Sequence, residues 1–199
     1  MFKKIILFII AIGFFNSCNN DDDNDSEQNQ LCDSSNTTFN QLYTDLLMDV
    51  NNQEEITLDV INHAYTFEVL SNESICKIGY SSQPSFETYP YLIEIYDNTN
   101  DMLLYSENHT FSSSITEYVA INPVNLVSGN SYTIKRVQNN STNDITIFIG
   151  RIVKNVNNDD LNFPISNNNL IITSATFGSQ SSQQLFYFGI PYIDLVFEE

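Results

Sequence analysis

The chain has no tryptophan, only three cysteines and two histidines, and only seven lysines and arginines in 199 residues. Each scarcity removes a class of function. Seven bases against 25 acids, a net charge of −18, leave no basic surface for a phosphate backbone, so no nucleic-acid partner is expected. Three cysteines are too few for a disulfide scaffold, and no Cys/His pair has zinc-finger spacing. His63 and His109 lie far apart in sequence and no Gly-x-Ser-x-Gly elbow accompanies them. They therefore read as surface histidines, and no triad, metal site or cofactor is expected. No apolar run reaches the ~20 residues that a membrane-spanning helix needs. What is abundant is apolar and aromatic content, 42% and 13%, which excludes a disordered chain and suits one domain.

The N-terminus carries the strongest local signal. Lys3 and Lys4 form a short basic head before the apolar run Ile5 to Phe15 (IILFIIAIGFF), and small or polar residues follow. That order describes a secretory signal peptide. Its end reads Phe15-Asn16-Ser17-Cys18 and resembles a bacterial lipoprotein signal, here residues 1–17. The resemblance implies that Cys18 is acylated and becomes the first mature residue, with the membrane as partner through that lipid (palmitate among its chains). Several acyl chains anchor firmly, where one is marginal. The following NNDDDNDSEQNQ has five acids, no base and no apolar side chain. It cannot bury enough surface to offset its ordering entropy, so residues 18–36 are expected to be a flexible tether. Asp21, Asp23 and Asp25 alternate as in a calcium loop, but Ser26 and Cys32 stand where such a loop needs glycine and an acid. An acidic run behind a lipidated cysteine also resembles the export signal of Bacteroidetes, flavobacterial-type, surface lipoproteins. That implies the outer membrane, and its outer, cell-surface face. Loss of Lys3 and Lys4 leaves 25 acids against 5 bases, a mature charge of −20.

Residues 37–199 read as the folded domain. Phe39, Leu42, Tyr43, Leu46, Leu47 and Val50 make one apolar stripe at helical period, with Thr38 and Gln41 in capping-box spacing. From Ile56 the period becomes two. Tyr65-Phe67-Val69, Cys76-Ile78-Tyr80, Leu92 to Tyr96, Met102 to Tyr105 and Glu117 to Ile121 read as strands. Tyr132 to Val137, Ile145 to Val153, Leu170 to Phe177, Leu185 to Phe188 and Tyr192 to Phe197 complete the series, with a hairpin loop at Asp97–Asp101. Nine or ten short strands between turn-forming clusters predict a mainly β chain. The expected fold is a single antiparallel β-sandwich, jelly-roll or immunoglobulin-like, with one N-terminal amphipathic helix.

Within that pattern, Tyr-Thr-Phe-Glu-Val at 65–69, Ile-Gly-Tyr at 78–80, Leu-Ile-Glu-Ile-Tyr-Asp at 92–97, Leu-Leu-Tyr at 103–105, Glu-Tyr-Val at 117–119 and Leu-Val-Ser-Gly-Asn-Ser-Tyr at 126–132 follow in order. The stretch resembles a β-sandwich domain of unknown function attached to bacterial surface and carbohydrate-active proteins. The resemblance implies a fold and a surface context but no catalytic residue.

Chemistry is thinly marked. Glu68, Glu94 and Glu117 lie in strands and are the best candidates for the paired carboxylates of a glycan hydrolase, although polar-face positions of an antiparallel sheet normally meet water. Cys76 shares a face with Ile78 and Tyr80 and reads first as a buried free thiol; the alternative is a disulfide with Cys32 that staples the tether. The loop Ser81 to Tyr91 (SSQPSFETYPY) has two prolines and offers Phe86, Tyr89 and Tyr91 as aromatics for stacking on sugar rings. The expected function is a non-catalytic, lipid-anchored envelope binding or interaction protein, its partner a polysaccharide or another envelope protein. The alternatives are a glycan hydrolase and a structural surface protein without a small ligand.

Overall fold

Strands whose apolar side chains recur at every second position have one greasy face each, and two such sheets must close on one another. The computed structural model of the chain takes that form; it describes residues 32–58, 61–84, 87–138, 148–179, 182–185 and 189–198. The signal peptide, Cys18, the acidic run, Phe86 and the start of the strand expected at Ile145–Val153 lie outside the described residues.

Helix α1 (Thr38–Met48) comes first. Thirteen strands follow among the described residues: β1 (Asn52–Leu58), β2 (Asn62–Val69), β3 (Glu73–Tyr80), β4 (Tyr91–Asp97), β5 (Met102–His109), β6 (Glu117–Leu126), β7 (Ser131–Gln138), β8 (Phe148–Asn155), β9 (Ile165–Asn167), β10 (Leu170–Ser179), β11 (Ser182–Leu185), β12 (Gly189–Pro191) and β13 (Asp194–Phe197). The larger sheet runs β11-β10-β2-β7-β4-β5, with β9 beside the start of β10. The opposing layer consists of two three-stranded sheets, β1-β8-β12 and β13-β3-β6. Tyr192 and Ile193 join them, the Tyr192 amide donating to the Arg151 carbonyl at 2.9 Å. Every ladder is antiparallel. Among the described residues the fold is a β-sandwich with one helix.

The core lies between the layers. Tyr65, Phe67, Ile93, Ile95, Ile134 and Ile172 point inward from the large sheet, and Ile75, Ile78, Ile152, Ile190 and Leu195 meet them. Helix α1 covers one end of the core with Phe39, Leu42 and Tyr43. Phe39 stacks on Tyr65 with ring centroids 5.3 Å apart and meets the edge of Tyr192 at 5.6 Å.

Three details depart from the sequence expectation. The helix is capped one residue earlier, by Thr37, whose Oγ1 accepts from the Asn40 amide at 3.0 Å, a contact worth ~1 kcal/mol. It also stops at Met48, so Val50 is 90% exposed instead of continuing the stripe; the Asn52 side-chain amide caps Leu46 O and turns the chain into β1. Strands β1 and β9 were not expected. β1 is an edge strand that opens on four polar residues (NQEE), and the alternation that follows, Ile56-Thr57-Leu58, is too short to mark a strand by itself.

The N-terminal boundary also moves. Cys32 and Cys76 form a disulfide, which corrects the free-thiol reading of Cys76. Cys76 is buried, but with Cys32 and Val196 in a small cluster apart from the main core that holds Ile78 and Tyr80, because the β3 ladder shifts register between Ile75 and Lys77. Lys77 Nζ donates to the Cys32 carbonyl at 2.8 Å. The chain is thus fixed to β3 from residue 32, not free to residue 36.

The Leu126–Tyr132 motif has a plain structural meaning. Gly129 adopts φ +81°, a conformation that a side chain would strain, and its amide donates to Val69 O. The Tyr132 hydroxyl then accepts from the Val127 amide at 2.7 Å, closing the corner on itself.

Candidate functional site

The outward face of the large sheet carries an open hollow built from sequence alternation. Along β4, Ile93 and Ile95 turn inward, which forces Glu94 and Tyr96 outward. Along β7, Tyr132, Ile134 and Arg136 turn inward, leaving Thr133 and Lys135 outward. Register then sets the rows: Tyr96 lies between Thr133 and Leu103, and Glu94 lies beside Lys135. The result is an open hollow of about 450 Å³ lined by Glu94, Tyr96, Asn98, Leu103, Thr133 and Lys135. Its size is that of a small-molecule site.

The lining is held in place by its own contacts. Lys135 Nζ meets Glu94 Oε2 at 2.5 Å, both side chains roughly a quarter exposed. The Asn98 side-chain amide donates to Thr133 Oγ1 at 3.0 Å and Ser131 Oγ at 3.2 Å. Thr133 Oγ1 also lies 3.1 Å from Thr66 Oγ1, extending the polar row to β2. The Tyr96 hydroxyl donates to Asp101, which raises the pKa of the phenol and fixes the ring. Asp101 stands at φ 54° in the β4–β5 turn, and Asp97 accepts from the Thr99 and Asn100 amides to shape that turn. Leu103, half exposed, completes an apolar wall. An aromatic ring, an aliphatic wall, an acceptor, a cation and an amide around one hollow can bind a polyhydroxylated ligand. No second carboxylate is among the lining residues beside Glu94.

The residues nominated from sequence are scattered. In the aromatic loop, Phe86 lies outside the described residues, Tyr89 is 43% exposed, and Tyr91 is buried. Tyr91 opens β4, packs on Tyr80 at 5.2 Å, and exchanges a hydrogen bond with Ser82. It is a core residue and not a ligand platform, because β4 begins one residue after Pro90 and its alternation turns Tyr91 inward. Glu68 pairs in register with Ser131, and Glu94 with Lys135, four residues along β7 and two strands apart. That places their backbones roughly 17 Å apart, so the two side chains are not neighbours across a ladder. Glu117 belongs to the other sheet, where it accepts from the Ser112 amide.

The histidines also need correction. His63 is fully buried, packed edge-on against Phe177 at 5.1 Å and paired in register with Arg136. Burial first, and the Arg136 charge second, hold its pKa well below the usual histidine range. His109 is half-buried and bonded to the Tyr105 hydroxyl. Among the described residues, no group of three His, Cys, Asp or Glu is placed to hold a metal.

Sequence reading missed a second polar cluster, at the helix-covered end of the core. Asp194, fully buried, accepts from Thr37 Oγ1 and from the Tyr118 hydroxyl, each at 2.7 Å. Thr37 therefore caps α1 and binds β13 with one hydroxyl. Burial lifts the Asp194 pKa to about 6, against the opposing pull of its Thr37, Tyr118 and Tyr192 hydrogen bonds. Arg151 lies 3.9 Å from the Tyr192 ring centroid and donates to Thr116 Oγ1. The cluster is enclosed by the protein's own groups and ties the N-terminal helix to the C-terminal strand.

No helix among the described residues is long and apolar enough to cross a membrane. The chain matches no protein-family model, and no curated protein matches it.

Proposed function

We propose that the chain is a non-catalytic, lipid-anchored binding protein of the cell envelope that holds a glycan on the outward face of its large sheet. The observation that carries this reading is the hollow of Glu94, Tyr96, Asn98, Leu103, Thr133 and Lys135, a mixed aromatic and hydrogen-bonding surface on a rigid sheet. A sheet ladder presents such groups with little ordering cost on binding, since the backbone beneath them is already fixed. The absence of a facing carboxylate in the lining favours a binder over the hydrolase.

The N-terminal residues support the anchor. Lys3, Lys4, the apolar run to Phe15 and Ser17-Cys18 support acylation at Cys18, and the acidic stretch behind it supports display on the outer face of the outer membrane. The segment from Cys18 to Cys32 gives the domain reach from the bilayer before the disulfide takes it into the fold. Metabolic labelling with a fatty acid, with and without Cys18→Ala, tests the anchor. Protease treatment of intact cells tests the location: loss of the domain is expected, and survival on intact cells with loss after lysis overturns surface display. For the ligand, affinity electrophoresis through a series of polysaccharide gels is the direct test. Retardation that Tyr96→Ala abolishes is expected, and retardation unchanged by that substitution removes the hollow as the site.

A further inference from the structure

The placement of the bases narrows what the hollow can take. After Lys3 and Lys4 the chain holds five: Lys77, Lys135, Arg136, Arg151 and Lys154. Each is already engaged within the fold. Lys77 donates to Cys32 O; Arg151 pairs with Glu54 at 3.6 Å; Lys154 pairs with Glu55 at 2.6 Å and bonds Asn158 at 2.8 Å. Arg136 is fully buried beside the rings of Tyr80 and Tyr91 and donates to Ile61 O. Lys135 is the one base in the lining of the hollow, and Glu94 neutralises it. Asp101 holds Tyr96 at the rim, and Glu68 lies on the same outward face of the sheet. A ligand carboxylate or sulfate would thus meet Glu94 and a mature charge of −20 with no free cation to answer it.

We infer that the hollow selects uncharged glycans, with Tyr96 carrying a sugar ring and the Glu94–Lys135 pair sharing its hydroxyls, and that it rejects uronate- or sulfate-bearing ones. This rests on the glycan-binding reading of the same hollow. Vicinal hydroxyls suit the pair because each can donate to the carboxylate and accept from the ammonium without separating them. Glu94 is then the residue that sets selectivity. Its removal as a charge frees Lys135 and turns a neutral site into a cationic one.

The test is an array of matched neutral and acidic glycans probed with the detergent-solubilised full chain at about 0.15 M salt, where long-range repulsion is screened. The wild type is expected to bind neutral glycans at least tenfold better than their acidic counterparts, and Tyr96→Ala to lose at least tenfold of that binding. Glu94→Gln is expected to shift the acidic-to-neutral ratio upward by at least tenfold, a gain that a misfolded variant cannot produce. Wild-type preference for acidic glycans, or equal binding, with loss in Tyr96→Ala, overturns the selectivity and leaves the hollow as the site. An unchanged ratio in Glu94→Gln overturns it as well. No glycan signal, or signal indifferent to Tyr96→Ala, overturns the binding reading and this inference with it.

Discussion

Replacing Asp194 with Asn should flatten a defined part of the pH dependence of stability. In the folded chain Asp194 is faced by Thr37 from the cap of α1, Tyr118 from β6, Tyr65 from β2 and Tyr192 from its own segment, all neutral, and burial lifts its pKa from 3.8 to about 6. A carboxyl whose pKa is higher folded than unfolded favours the fold when protonated. Its contribution is complete below pH 3.8 and disappears as pH rises through 6. Linkage puts the difference at roughly 1.4 kcal/mol between pH 7 and pH 5, approaching about 3 kcal/mol at full protonation. His63, kept neutral by burial, acts the opposite way as pH falls below its ordinary value of 6.5. The comparison must therefore be made between wild type and Asp194→Asn at each pH, so that the histidine cancels. Urea unfolding at pH 5, 6, 7 and 8 without reductant supplies the free energies. Wild type should gain about 1.4 kcal/mol relative to the variant from pH 7 to pH 5. Parallel curves, or a relative loss in the wild type on acidification, would refute the burial of an ionised Asp194 at neutral pH.

Other substitutions test the packing. Reducing the Cys32–Cys76 bridge opens a loop of 44 residues and should cost ~3–4 kcal/mol, read as a shift of the urea midpoint with added reductant. Phe39→Ala removes a fully buried ring that joins α1 to Tyr65 and Tyr192, and should cost about 3–5 kcal/mol in the same assay. Tyr91→Ala should lower stability by a similar ~3 kcal/mol because Tyr91 is core. Tyr89→Ala, on the exposed loop, should leave both the urea midpoint and glycan retention unchanged; a loss of retention there would return the binding site to the loop.

The fold was legible in the sequence wherever one face of an element is buried. Ile93 and Ile95 against Glu94 and Tyr96, or Tyr132, Ile134 and Arg136 against Thr133 and Lys135, alternate because the sheet has one dry side. Edge strand β1 lacks that asymmetry along most of its length, and the register that brings Lys135 beside Glu94 depends on β4 and β7 becoming neighbours although 33 residues lie between Asp97 and Ser131. The hollow was therefore half legible. Glu94 was singled out, but as a catalytic candidate, and its partner across the ladder was invisible. Tyr91 was misplaced because a proline-rich stretch reads as loop until the strand that follows is known to begin at its last residue. His63 and Arg136 were hardest of all. Composition assigns such groups to the surface, and only the facing register of β2 and β7 puts them together inside.

Residue-resolved mapping of a bound neutral glycan by NMR chemical-shift perturbation tests the proposed binding site most directly. The shifts are predicted to cluster on Glu94, Tyr96, Leu103, Thr133 and Lys135, across β4, β5 and β7, and to vanish in Tyr96→Ala. Shifts confined to the loop around Tyr89, or spread over the opposing layer, would contradict it.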